Sequence, residues 1–291
     1  MECILRQVDP LFEPASGLQY RLSILLRPDG YFFLVCDPGT NKILLLSDYS
    51  NEKNALATGN HTGWPSNCSA YFSEFESIDL LKLSCFKTDV ALSSNKITVA
   101  PAEFLQGEHA ELIIYAAQQK FNDEGIIREA IFEEGPTIVA LFPQGIIEQC
   151  KAIFPDITLQ SAMAVYAKGL LTGNVQSVER KVFVQIWRSY FEVVVCQGTR
   201  LLYLNAFNYS APTDVLYYLI FILEQLGFVP SEEEITLMGE VDKGHIIYEQ
   251  LKMYCGKLIV SQIPKAYKVG PEFSGIAWHK YFTLLNLALC E

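Results

Sequence analysis

An internal repeat restricts the fold of this chain more than any other feature of its sequence. Residues 21–50 (RLSILLRPDGYFFLVCDPGTNKILLLSDYS) align with residues 181–210 (KVFVQIWRSYFEVVVCQGTRLLYLNAFNYS), with a one-residue gap on each side of the shared Gly-Thr. Val35-Cys36 then corresponds to Val195-Cys196. Each copy has three short runs rich in β-branched and aromatic residues, separated by tight turns, which is typical of three antiparallel strands. Two such meanders predict a duplicated architecture.

The later segments of the two halves also correspond. Residues 136–160 and residues 234–262 each read as strand, helix, strand. A last helix is predicted over residues 161–171 in the first half and over residues 276–290 in the second half.

An earlier helix follows each meander. In the first half it is predicted over residues 70–83, and in the second over residues 213–227. The second of these helices has Thr213 or Ser210 as its N-cap and Gly227 just after its end. Because this helix is apolar nearly all round, we expect it to be buried on several sides.

Each half therefore has the predicted order β-β-β-α-β-α-β-α, which describes an α/β unit with a mixed sheet. We expect two tandem lobes, residues 1–175 and 176–291, with a cleft between them. The first lobe carries additional strands and a helix over about residues 85–136, which predict a small β/α insertion.

Composition and charge exclude several classes of protein. The net charge is −11, so the chain lacks the basic surface that binding to nucleic acid requires. The longest unbroken apolar run covers residues 215–223, too short to span a membrane. No signal-peptide core opens the chain, and the eight cysteines form no C-x-x-C pair. These features predict a reduced, cytoplasmic protein, and the apolar patterns fit a monomer and a homodimer equally well.

The order of elements resembles a known architecture. The duplicated unit resembles the ribonuclease-H-like lobes of the actin-like ATPase superfamily, and the insertion resembles the small subdomain of the first lobe in the cell-division protein FtsA and the pilus-assembly protein PilM. The phrases VDPLF, LSILLRPDGYFFLV, VAPAEF and FNYSAPTDVLYYLIFILEQLGF resemble a family of uncharacterised bacterial proteins thought to have this actin-like fold. That last resemblance implies a fold and no established activity.

The resemblance also implies where a nucleotide would bind. In the superfamily, phosphates are held by Asp- and Gly-containing turns between the first two strands of each lobe, and a Gly-Gly pair approaches the adenosine. The matching turns here are residues 27–30 (RPDG) and 187–190 (WRSY), and the Gly-Gly position reads Gly239-Glu240. If a nucleotide binds, the resemblance assigns its contacts to Asp29, Gly30, Gly239 and Glu240. Gly239 can equally be an ordinary glycine at the end of a strand.

The sequence DPGT, residues 37–40, looks like a phosphate turn but lies between the second and third strands of the meander. Its repeat partner, residues 196–199 (CQGT), has no Asp. Glycine in a short loop between apolar strands is what a hairpin needs. We therefore interpret DPGT as a hairpin turn.

No other catalytic or metal-binding pattern is present in the sequence: it contains no P-loop, no G-x-G-x-x-G, no nucleophile elbow and no H-E-x-x-H. Trp187 and Tyr190 flank the second phosphate-turn position, where they either cap the core or fill the space of the phosphates. We predict no catalytic residue, metal or cofactor. The favoured function is a non-catalytic scaffold for an unknown protein or peptide. The resemblance to PilM implies that this partner binds in the groove between the insertion and the first lobe. The alternative is a nucleotide-dependent ATPase or kinase with an atypical site.

Overall fold

A computed structural model describes residues 1–50, 64–65, 68–76, 78–79, 85–105, 109–118, 123–133 and 135–289. Both predicted meanders are present in it. The first consists of β2 (Arg21–Arg27), β3 (Gly30–Asp37) and β4 (Lys42–Ser50). The second consists of β10 (Arg180–Ile186), β11 (Tyr190–Gln197) and β12 (Arg200–Asn208). The ladder β3–β4 shifts register between Val35 and Cys36, and β11–β12 shifts between Val195 and Cys196. The same irregularity at equivalent positions supports the duplication.

Each meander is extended by parallel strands into a mixed sheet, as the sequence predicts. The first sheet has the order β1-β4-β3-β2-β5-β9 and the second the order β12-β11-β10-β13-β14. The added strands are β1 (Glu2–Val8), β5 (Lys87–Leu92), β9 (Leu159–Ser161), β13 (Glu234–Gly239) and β14 (Lys257–Val260). Apart from β1 at one edge, the two sheets have the same topology, with β5 and β9 equivalent to β13 and β14.

The insertion lies later in the chain than its predicted bounds, residues 85–136. Strand β5, predicted inside it, pairs with β2 in the main sheet. An antiparallel sheet of order β6-β8-β7 forms the insertion, with β6 at Ile97–Ala100, β7 at Glu124–Ala130 and β8 at Thr137–Pro143. The predicted bounds were wrong because β8 is almost continuously apolar, and such a run is equally typical of a central strand of the main sheet.

Helices cover the sheets in the predicted order: α1 (Cys68–Glu76), α2 (His109–Ala117, in the insertion), α3 (Gln144–Ile153) and α4 (Ala162–Gly173) in the first half. In the second half they are α5 (Pro212–Gln225), α6 (Ile246–Tyr254) and α7 (Phe282–Leu289). Residues 80–83 of the first predicted helix lie outside the described residues. No helix in the described ranges combines the length and the hydropathy that crossing a membrane requires.

Helix α5 differs from its prediction in two respects. Its N-cap is Ala211, and the carboxylate of Asp214 accepts hydrogen bonds from the backbone N–H groups of Ser210 and Ala211 at 2.8 and 2.9 Å. The helix also exposes Tyr217 and Phe221, whose rings stack on each other, because only one stripe of it packs on the sheet. The predicted glycine after its end is confirmed, since Gly227 has a φ of +72°.

The last helices of the two halves lie between the two sheets. Leu284 and Leu285 of α7 share a buried cluster with Phe32 of the first sheet. Tyr166 and Leu170 of α4 belong to another cluster that contains residues of both sheets. A division of the chain at residue 175 therefore follows the repeat but cuts through shared packing.

Candidate functional site

The two predicted nucleotide-contact regions meet at the cleft between the halves. The first is a hairpin in which Arg27 pairs with Gly30 across Pro28-Asp29. A Cβ at Gly30 would collide with the carbonyl oxygen of Tyr49. The hydroxyl of Tyr71, on α1, lies 3.0 Å from the carbonyl oxygens of both Arg27 and Gly30. The turn is thus held tightly from two sides.

The second region, Gly239-Glu240, ends strand β13. Gly239 has a φ of +83°, and a Cβ there would collide with the backbone of Ile186 on β10. The N–H of Glu240 donates to the carbonyl oxygen of Ile186 at 2.7 Å. The backbone conformation therefore requires glycine at position 239, whether or not Gly239 also contacts a nucleotide.

A single guanidinium joins these two regions. Arg27 is almost fully buried, and its Nη1 lies 2.9 Å from Oε1 of Glu240, in the other half of the chain. Its Nε lies 3.5 Å from Oδ1 of Asp29. Two aromatic rings lie over the guanidinium. The Cζ atom of Arg27 is 4.0 Å from the ring centroid of Phe32 and 5.4 Å from that of Trp187. Arg27 thus neutralises both acidic residues predicted for a nucleotide site.

A second ion pair crosses the cleft beside the first. Nζ of Lys280, in a short 3₁₀ helix at Trp278–Tyr281, lies 2.8 Å from Oδ2 of Asp48 on β4. The hydroxyl of Tyr281 donates to the same oxygen at 3.2 Å. Two cations and three carboxylates from both halves are therefore paired along the cleft.

The electrostatics keep the pair of Arg27 and Glu240 ionised. Burial alone would raise the pKa of Glu240, but attraction to Arg27, helped by Lys280 and Arg188, outweighs it and lowers that pKa. Burial likewise opposes the charge of Arg27, yet Asp29, Glu240 and Asp48 raise its pKa above the ordinary value. A charged guanidinium is thus fixed at the position where the resemblance would put phosphate and Mg²⁺.

The aromatic residues of the second turn are buried. Trp187 and Tyr190 pack in the cluster that contains α7 and the first sheet. The indole N–H of Trp187 donates to Oε2 of Glu192 at 3.0 Å, and its carbonyl oxygen accepts a hydrogen bond from Tyr209 at 2.6 Å. Trp187 therefore caps the core and also occupies cleft space beside Arg27, so the two interpretations of this residue are compatible.

The DPGT sequence is a hairpin turn remote from this site, at the opposite end of β3 from Asp29. Oδ1 of Asp37 accepts the N–H of Gly39 at 2.8 Å, and Oδ2 accepts the hydroxyl of Thr40 at 2.9 Å. The Asp carboxylate is thus used inside its own turn.

A small cavity of 280 Å³ opens next to Glu240. Its lining includes Gly239, Arg188, Lys280 and His279. Among the residues that the structure describes, no three His, Cys, Asp or Glu side chains are grouped so that they could hold a metal ion.

Sequence reasoning missed the residues that close the cleft: Arg27, Asp48 and Lys280. A detectable sign existed for the first two, since each is a charged residue that follows a run of apolar residues in its strand. A charge that is buried in such a strand needs a partner, but the sequence does not say which.

Comparisons with known proteins agree with this architecture. Residues 9–258 match the family model described as Protein of unknown function (DUF3822). No curated protein matches the sequence. A solved protein of Bacteroides thetaiotaomicron VPI-5482 with actin-like ATPase fold and unknown function is 18% identical, with a TM-score of 0.78, covering 97% of this chain and 100% of that chain. The PilM-PilN type IV pilus biogenesis complex contains a chain that is 14% identical, with a TM-score of 0.66, covering 92% and 97%. The chain has the actin-like ATPase fold, and the predicted resemblance is confirmed.

Proposed function

Since this chain belongs to the DUF3822 family of proteins of unknown function, we propose its function from its fold and its cleft: it is a non-catalytic protein-binding or scaffold protein. One observation carries the proposal. The buried guanidinium of Arg27 is paired with Glu240 and lies near Asp29. The carboxylates that would coordinate the Mg²⁺ of a bound nucleotide are therefore already neutralised within the protein.

The chemistry of Mg-nucleotide binding explains why this pairing matters. Mg²⁺ in such sites is held by one or two carboxylates together with phosphate oxygens. To bind here, it would have to displace Arg27 from Glu240 and leave a guanidinium buried without that partner. Separating one partner of a buried pair costs about 3–5 kcal/mol, which the nucleotide would have to supply from its own contacts.

A protein partner fits the remaining surface better than nucleic acid, given the net charge of −11. The insertion exposes Phe104 and Leu112, and exposed apolar side chains often mark interaction sites when they lie together. PilM is solved in complex with PilN; by analogy, we assign a protein segment of the partner to the groove between the insertion and the first lobe. The described cysteines are free, in keeping with a reduced, cytoplasmic location.

The alternative function is a nucleotide-dependent ATPase or kinase, and the 280 Å³ cavity favours it. Arg188 and Gly239 line that cavity and offer a cation and a close-approaching backbone to an anion, although Glu240 and Asp242 also belong to the lining. Asp29, Gly30, Gly239 and Glu240 would then be its contact residues.

A thermal-shift titration with Mg-ATP and Mg-ADP separates the two functions. A ligand at about 100 times its Kd would stabilise the fold by about 2.7 kcal/mol, which raises Tm by about 4 °C in a chain of this size. We expect no shift at millimolar nucleotide. A shift that disappears in Arg188→Glu, a change at an exposed residue of the cavity lining, would favour the nucleotide enzyme instead.

Selection from a random-peptide display library tests the scaffold function directly. We expect enriched peptides that bind the wild-type protein and lose binding in Phe104→Asp and Leu112→Asp. The control is Val178→Asp, because Val178 is exposed and lies outside the insertion. Absence of any peptide that is sensitive to the two insertion variants would contradict the assigned groove.

A further inference from the structure

A second, larger cavity lies where the two halves of the chain meet. It has a volume of 590 Å³ and contains none of the ion-paired residues of the cleft. Its size falls within the range of about 300–1,000 Å³ that is typical of small-molecule sites. Its apolar lining comes from both halves, with Leu170 on α4, Phe183 on β10, Met238 on β13, and Phe282 and Leu289 on α7.

The helices that form this cavity approach closely on one side of it and leave space on the other. A Cβ at Gly169 would collide with the side chain of Asn286 on α7, so α4 and α7 touch there. One turn later, a Cβ at Gly173 would meet nothing within 4 Å, although Gly173 also lines the cavity. The cavity thus opens where α4 ends and the helices no longer touch.

The charges around the cavity have one sign. Its lining contains Lys168 and Lys265 and no Asp or Glu among the described residues, whereas acidic residues outnumber basic ones by 33 to 22 in the whole chain. Burial raises the pKa of Glu129 to about 7, and the nearby Lys168 lowers it in part by attracting its carboxyl. Lys265 is exposed at the rim. Amide side chains of Asn174, Gln262 and Asn286 provide further hydrogen-bonding groups.

We propose that this cavity binds a small amphiphilic acid, a molecule with an apolar chain and one anionic head group. The apolar chain packs on the lining from α4, α7 and the second sheet, and the head group lies at the rim near Lys265. Because the lining comes from both halves, the ligand stabilises their junction. This site is separate from the interlobe cleft and does not depend on the function proposed above.

A thermal-shift titration of the full chain with three probes of equal chain length tests the proposal. The probes are decanoate, decanol and decylamine, each below its micellar concentration, so that only the head-group charge differs. We expect decanoate to raise Tm by about 2 °C or more at saturation and decylamine to leave it unchanged. Equal shifts with all three probes would overturn the anionic head group and indicate a purely apolar occupant. No shift with any probe would overturn the site.

Two variants with matched controls locate the binding. Gly173→Trp is expected to abolish the decanoate shift by occupying the cavity, since a Cβ at Gly173 has open space, while Val178→Trp, an exposed position not in the lining, is expected to retain it. Lys265→Glu is expected to weaken decanoate binding roughly fivefold, in line with an exposed ion pair, and Lys268→Glu to leave it unchanged. A decanoate shift that survives Gly173→Trp would place the binding elsewhere and overturn the proposal.

Discussion

Arg27 is the residue on which the character of the cleft depends. It is the last residue of β2, it is buried, and it interacts with carboxylates from both halves of the chain. Removing one partner of such a pair leaves the others uncompensated, which is more costly than removing the whole group of charges. The stability of the cleft should therefore depend on the pair rather than on either residue.

We expect Arg27→Met to lower the free energy of unfolding by about 3 kcal/mol, measured by urea denaturation. The double variant Arg27→Met/Glu240→Gln should be less destabilised than the sum of the single variants, with a coupling energy of about 1–3 kcal/mol. The control is Lys257→Met, which breaks the exposed pair of Lys257 with Glu234 and should cost less than about 1 kcal/mol. Simple additivity would contradict the role given to the pair.

Glu192 makes the stability of the second half depend on pH. Burial raises the pKa of its carboxyl to about 7, although hydrogen bonds from Trp187 and Gln185 lower it in part. The folded state therefore binds a proton that the unfolded state has already released between about pH 4.5 and pH 7. The resulting stabilisation is complete below this window and is lost as the pH rises through it.

We expect wild-type stability to fall by about 1–3 kcal/mol relative to Glu192→Gln between pH 5 and pH 8. The measurement is urea denaturation of both proteins across this range. Glu224→Gln is the control, because Glu224 is exposed on α5, and it should follow the wild type. Parallel curves for wild type and Glu192→Gln would show that this carboxyl does not titrate in the window.

At the level of elements, the repeat in the sequence was enough to predict both meanders, the parallel extensions and the order of helices. Strand partners were harder to predict. The sequence predicts β8 in the main sheet and β5 in the insertion, and the structure has them the other way round. The apolar run of β8 is typical of a central strand of the main sheet, and the polar start of β5 is typical of a strand in a small, partly exposed sheet. Arg27 was visible as part of a turn, but only the fold brings it to Glu240, 213 residues later.

Three glycines at strand and helix ends offer a graded test of backbone strain. Gly239→Ala should destabilise by about 3 kcal/mol or more, because it combines a positive φ with a collision against Ile186. Gly227→Ala has the positive φ but open space, so about 1–2 kcal/mol is expected. Gly173→Ala has neither and should be neutral or stabilising. Chemical denaturation of the three variants checks the order, and equal losses at 239 and 227 would contradict it.

For the whole molecule, the important feature is that α4 and α7 pack across the junction. The cluster of α7 includes residues of the first sheet, and the cluster of α4 includes residues of both sheets. Neither half can then bury its own sheet completely with its own helices. The two halves should behave as one cooperative unit.

We expect residues 1–175 and residues 176–291, produced as separate chains, to lack a cooperative thermal transition when alone and to regain one when mixed. Circular dichroism of each fragment and of the mixture measures this, with the intact chain as the reference. A sharp transition in either isolated fragment would mean that its sheet is sufficiently buried without the other half.

The helices between the two sheets have a consequence for the origin of the chain. A single copy of the repeated unit would have left one side of this inner layer uncovered, and a second copy would have had to cover it, as in a symmetric dimer. The stability of such a dimer falls when the protein is dilute. Joining two copies in one polypeptide removes that dependence on concentration, and it also frees each half to diverge, so that one could acquire an insertion and the other could supply Glu240 to Arg27.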